Sequence, residues 1–91
     1  MKTLTDQEVA AAVKKLKGWN LIGKEIRKSF IHKDFVHAVG FVNSVALVAE
    51  RANHHPDIDV RWNTVTLTLS THSAGGLTEK DFKLAGEIDE I

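Results

Sequence analysis

The sequence predicts an α+β domain: a four-stranded antiparallel sheet with three helices on one face. Three observations predict it. Two stretches alternate apolar and polar residues with the period of two that a half-buried strand needs, and each folds back through a turn-forming pair. Three other stretches place apolar residues at helical spacing behind a side chain able to cap them. Their order is α-β-β-α-β-β-α. Strands joined as hairpins pair antiparallel, which leaves the helices to cover one side of the sheet. At 91 residues the chain has room for a single domain, residues 1–91.

The first helix opens on Thr5, with Glu8 three residues on, the pattern of a capping box. Val9, Ala12, Val13 and Leu16 form its apolar stripe, Lys14, Lys15 and Lys17 suit its C-terminal dipole, and Gly18 is the expected stop. Trp19 and Leu21, then Ile26 and Phe30, mark the buried face of a hairpin turning at Gly23-Lys24. Asp34 is the expected cap of the longest helix, which runs to about Asn53 and ends ahead of Pro56. Its apolar residues, from Phe35 to Ala52, cover more than one face, so a second copy of the chain is expected to cover the surplus, as a homodimer or homotetramer through residues 35–52. Ile58, Val60 and Trp62, then Val65, Leu67 and Leu69, form the second hairpin, with Asn63-Thr64 as its turn. Thr78 and Asp81 form a second capping box ahead of a helix with Phe82, Leu84, Ala85 and Ile88 apolar.

Composition removes several function classes. Twelve basic and twelve acidic residues leave no net field to attract nucleic acid or an anionic membrane. The absence of cysteine removes disulfides, thiolate metal sites and cysteine nucleophiles. The N-terminus has no apolar signal core, and no apolar run approaches the ~20 residues of a membrane span. A cytoplasmic protein is expected.

The chemistry concentrates in one stretch. His54 and His55 follow the long helix, Glu50 stands one turn before His54, His72 closes the Ser70-Thr71-His72 run, and Asp81 opens the last helix. An imidazole titrates near ~6.5, so either proton state is accessible at neutral pH, and two around one bound molecule can give and take a proton. If the helix persists to His54, Glu50 can orient that ring. Taken singly, each residue has a plainer reading: a helix-end cation, a strand residue, a cap. His32 and His37 are read as structural. A metal site competes, but adjacent histidines diverge and no paired ligand spacing accompanies them.

The series Glu50, His54-His55-Pro56, Trp62, His72 and Asp81, with Gly18-Trp19, Lys33-Asp34-Phe35, Gly40-Phe41 and Thr68-Leu69-Ser70-Thr71-His72 around it, resembles the pterin-4a-carbinolamine dehydratases. The resemblance implies the fold read above. It also implies dehydration of 4a-hydroxytetrahydrobiopterin or a related pterin to the quinonoid dihydropterin, in the recycling of a hydroxylase cofactor. It implies no metal and no organic cofactor. By the same resemblance His54 and His72 are the acid–base groups, His55 binds and orients, and Glu50 orients His54. Trp19 is an aromatic at the pocket edge, the backbone of Ser70, Thr71 and His72 hydrogen-bonds the pterin, and Asp81 is a site carboxylate. Some members of the family serve instead as partners of transcription factors or in assembly, which is the alternative function.

Overall fold

The computed structural model describes residues 2–91. Helix α1 is Asp6–Lys14, strands β1 and β2 are Asn20–Ile22 and Glu25–Ile31, and helix α2 is Phe35–Ala52. Strands β3 and β4 are Asp57–Arg61 and Thr64–Leu69, a single 3-10 turn spans His72–Ala74, and helix α3 is Glu79–Asp89. The order is the predicted one. The four strands form one antiparallel sheet, β1-β2-β4-β3, so each hairpin contributes one central and one edge strand.

Alternation decides which face is covered. Val65, Leu67 and Leu69 of β4 are fully buried, as is Ile26 of β2, and they pack with Val9 of α1, Ala38, Val45 and Ala49 of α2, and Leu84, Ala85 and Ile88 of α3 in one core. Thr66 lies on the opposite side, where its hydroxyl meets that of Ser29 at 2.8 Å. Lys28 falls on the core side between Ile26 and Phe30. Its ammonium lies 4.9 Å from the Phe30 ring centre and is drawn out to Asp89 at 2.9 Å, so the aliphatic stem fills space while the charge stays paired.

The caps form as read. Thr5 and Glu8 complete one capping box, Thr78 and Asp81 the other, and Asp34 accepts from the His37 amide. Two boundaries differ from the sequence reading. Helix α1 ends at Lys14, not Gly18, because the next amides, of Lys15 and Leu16, bond three residues back to Ala12 and Val13 and tighten the coil. Gly18 (φ 80°) turns the chain so that Trp19 enters the core. The turn of the second hairpin is Trp62-Asn63 rather than Asn63-Thr64: Thr64 pairs with Arg61, and Asn63 is bound to His32 through both its amide side chain and its carbonyl. The end of helix α2 agrees with the sequence reading: it stops at Asn53, three residues before Pro56, because Asn53 takes the left-handed conformation (φ 51°, ψ 43°) and, with His54, returns amides to the carbonyls of Glu50 and Ala49.

One stripe of α2 packs on the sheet; the other exposes Phe35, Val36, Val39 and Leu47. By length and composition α2 is long and apolar enough to cross a membrane, a closer approach to a span than the sequence reading allowed. Ala38, Val45 and Ala49 are the residues of α2 that lie in the core.

The Asp34 carboxyl is held below its ordinary value of 3.8, first by the His37 amide and then by the His37 ring. A depressed carboxyl stabilises the fold above its unfolded value and loses that contribution as pH falls through the folded one. The excess in thermal midpoint of the wild type over Asp34→Asn, followed by circular dichroism from pH 7 downward, is expected to shrink only below about pH 3.8.

Candidate active site

The antiparallel register brings the histidine-bearing segments to one end of the sheet. Asp57, at the start of β3, pairs with Thr68, near the end of β4. The segment that enters β3 carries His54 and His55, and the segment that leaves β4 carries Ser70, Thr71 and His72. Helix α3 then starts beside both, because Thr71 and Gly76 bridge across the intervening loop.

Asp81 joins the three segments. Its side chain is fully buried, and every contact it makes has a partner. Oδ1 meets His54 Nε2 at 2.5 Å. Oδ2 accepts from the Thr71 hydroxyl at 2.8 Å and from the Thr78 amide at 2.9 Å. The Thr78 and Thr71 hydroxyls are themselves 2.8 Å apart. Each hydroxyl has one proton to give. With Thr71 donating to Asp81, Thr78 must donate to Thr71, and the line of bonds has one direction. An acceptor on Oδ1 then requires that His54 Nε2 carry its proton. The other nitrogen, Nδ1, is left for chemistry, in the way a carboxylate fixes the tautomer of a catalytic imidazole. The His54 side chain is 11% exposed, so it is held in place yet reachable.

His55 turns the other way. Its Nε2 meets Glu50 Oε1 at 2.9 Å, in a pair whose side chains are 59% and 80% exposed. The sequence reading paired Glu50 with His54; the structure pairs it with His55, because the left-handed turn at Asn53 breaks the helical face on which Glu50 and His54 would have met. Other expected site residues also have different surroundings. Trp19 is buried in the core, not at a pocket edge: its indole N–H donates to Asp89 at 3.0 Å and its ring stands edge-on to Phe30. The Ser70 hydroxyl donates to the Lys24 carbonyl, and the Thr71 hydroxyl, amide and carbonyl are all engaged within the chain. Asp81 supports His54 and is closed to a ligand. His72 heads the 3-10 turn, beyond the end of β4, and lines a shallow pocket with Lys24, Ser70 and Gly75.

His54 lines a separate cleft of about 320 Å³ between the end of α2 and α3, with Arg51, Lys80, Lys83, Leu84 and Glu87 around it. Sequence reasoning missed these cations; the spacing of Lys80 and Lys83 on either side of Asp81 was the available signal. It also read Thr78 as a cap alone. Among the described residues, no three His, Asp or Glu side chains converge as a metal site would require.

A family profile described as pterin 4 alpha carbinolamine dehydratase matches residues 2–91. The chain belongs to that family. A relative from Roseiflexus sp. (strain RS-1), provisionally named as a pterin-4-alpha-carbinolamine dehydratase, is 56% identical over 88 residues, which span 97% of this chain and 95% of the relative. A crystal structure titled as a transcriptional coactivator/pterin dehydratase from Brucella melitensis superposes with a TM-score of 0.93 at 40% identity, covering 98% of this chain and 97% of that one. A pterin dehydratase-like protein identified as a RuBisCO assembly factor in the alpha-carboxysome shares the fold, with a TM-score of 0.68 at 24% identity over 80% of this chain and 87% of that one. The pterin dehydratase family thus supplies the frame in which the His54–Asp81 pair is interpreted.

Removing the Asp81 carboxylate would strand the Thr71 hydroxyl, the Thr78 amide and His54 together. Asp81→Ala is expected to cost about 3 kcal/mol in chemical denaturation, and Thr71→Val about 1–2 kcal/mol. A cost within 0.5 kcal/mol of zero for Asp81→Ala would mean that the network contributes nothing to the fold.

Proposed function

We propose that this chain is a cytoplasmic 4a-hydroxytetrahydrobiopterin dehydratase acting in pterin recycling, with His54 and His72 as its acid–base groups. The observation that carries the proposal is the buried His54–Asp81 pair, which leaves one imidazole nitrogen available and fixes which one. Family membership supplies the substrate class. In the reaction the N5 lone pair forms the C4a=N5 bond as the C4a–O bond breaks. The departing hydroxyl gains a proton and leaves as water, and the N5 proton is lost. His54, as an imidazolium whose Nε2–H stays on Asp81, would donate its Nδ1 proton to the hydroxyl and end as the neutral ring. His72, which lines a different pocket from His54, would accept the N5 proton from a ring that spans the two, and the roles exchange for the opposite 4a epimer.

His55, held by Glu50 in an exposed pair, would bind and orient the ring. The Ser70-Thr71-His72 segment contributes its shape, since the Thr71 side chain is committed to Asp81. The leaving group departs next to an amine nitrogen, so general acid–base catalysis of about 10²–10⁴-fold is sufficient, and no metal or organic cofactor is invoked.

Absorbance assays of 4a-carbinolamine decay test this reading. His54→Ala and His72→Ala are expected to lower the rate by at least about 10²-fold while circular dichroism stays native. Decay no faster than in buffer, with folded wild-type protein, would sink the enzyme reading, and unchanged rates in both variants would sink the residue assignment.

The exposed stripe of Phe35, Val36, Val39 and Leu47 favours a homo-oligomer formed through α2. It is also the surface that an interaction or assembly role on this fold, the alternative function, would use. Sedimentation is expected to show a dimer or tetramer that Leu47→Lys shifts toward monomer; a wild type that is monomeric throughout the micromolar range overturns the self-association.

A further inference from the structure

The cleft beside His54 carries more positive charge than proton transfer to a neutral pterin calls for. Arg51 contributes from the end of α2, Lys80 and Lys83 from α3, against the lining carboxylate of Glu87 and the buried one of Asp81 behind His54. The chain as a whole balances twelve basic against twelve acidic residues, so this is a local excess rather than a general one. Glu87 is committed to Arg51 at 3.4 Å, and among the described residues neither Lys80 nor Lys83 has a carboxylate at ion-pair distance. Lys80 and Lys83, three residues apart, share one face of α3. Asp81, between them in sequence, holds His54, so the cations and the imidazole are fixed to one turn of one helix. The carbonyl end of α2 does not cancel the field outright, because the Ala49 and Glu50 carbonyls are capped by the Asn53 and His54 amides.

Resting on the dehydratase reading, we infer that the pterin used by this chain carries a phosphate monoester on its side chain. The phosphate sits among Lys80, Lys83 and Arg51 while the ring meets His54. A phosphate dianion suits two unpaired ammonium groups and a guanidinium better than a hydroxylated side chain does. The cleft's volume of about 320 Å³ lies at the lower end of the range for small-molecule sites.

The test compares kcat/KM for two 4a-carbinolamines, one made from a phosphorylated tetrahydropterin and one from the same pterin after phosphatase treatment. The wild type is expected to prefer the phosphorylated form at least tenfold. That preference is expected to collapse toward unity in the Lys80→Gln/Lys83→Gln double variant and to persist in Lys80→Arg/Lys83→Arg. Equal use of both substrates by the wild type, or a preference that survives loss of both lysines, overturns the inference. If neither carbinolamine is turned over, the dehydratase reading fails, and calorimetric binding of the oxidised pterin with and without its phosphate decides the subsite separately. Tenfold tighter binding of the phosphorylated form supports it, and equal binding overturns it. Inorganic phosphate is the last arm: binding as tight as that of the phosphorylated pterin would mark a free-phosphate site and overturn the assignment to a pterin.

Discussion

A carboxylate taken wholly out of water must be met by donors, or the fold loses several kcal/mol. Asp81 is such a carboxylate, and its three donors come from three parts of the chain: the loop after α2, the segment after β4, and the amide that opens α3. The Thr78 amide is local to Asp81, but the His54 ring and the Thr71 hydroxyl reach it only once β3 has paired with β4 and α3 has docked. Assembling the site and completing the fold are therefore one event. The imidazole of His54 is positioned by the same forces that close the core around Leu69, Leu84 and Ile88.

The two neighbouring histidines illustrate how little backbone change separates two environments. One left-handed residue, Asn53, stands between the last turn of α2 and His54. Beyond it His54 turns inward to a buried carboxylate and His55 outward to an exposed one. The inward pair has a single geometry. The outward pair is screened by water and contributes little to stability, which leaves it free to adjust to a bound ring.

Much of the fold was legible because its signals are local. The capping boxes at Thr5 and Thr78 and the cap at Asp34 depend on residues three apart, and the alternation of Val65, Leu67 and Leu69 fixes a face without reference to any neighbour. The density of imidazoles and carboxylates after α2 was legible too. Their pairing was not. Whether Glu50 meets His54 or His55 turns on one φ angle at Asn53, and that Asp81 is at once a cap and a partner of His54 depends on the register of β3 on β4. Trp19 was misplaced for the same reason: its hydrogen-bond partner, Asp89, lies 70 residues away in sequence. The cations of the cleft come from two helices that only packing brings together.

The second capping box has an evolutionary consequence. Asp81 accepts the Thr78 amide, as any residue completing such a box would, and holds His54 with its other oxygen. Losing the imidazole removes one partner and opens that oxygen toward the cleft; losing the carboxylate unravels the start of α3 as well. A lineage that kept this fold but abandoned its chemistry would thus be free to discard His54 long before Asp81. An aspartate surviving at this position in a descendant would testify to the architecture and say nothing of the reaction, whereas the histidine facing it would be the better witness to catalysis.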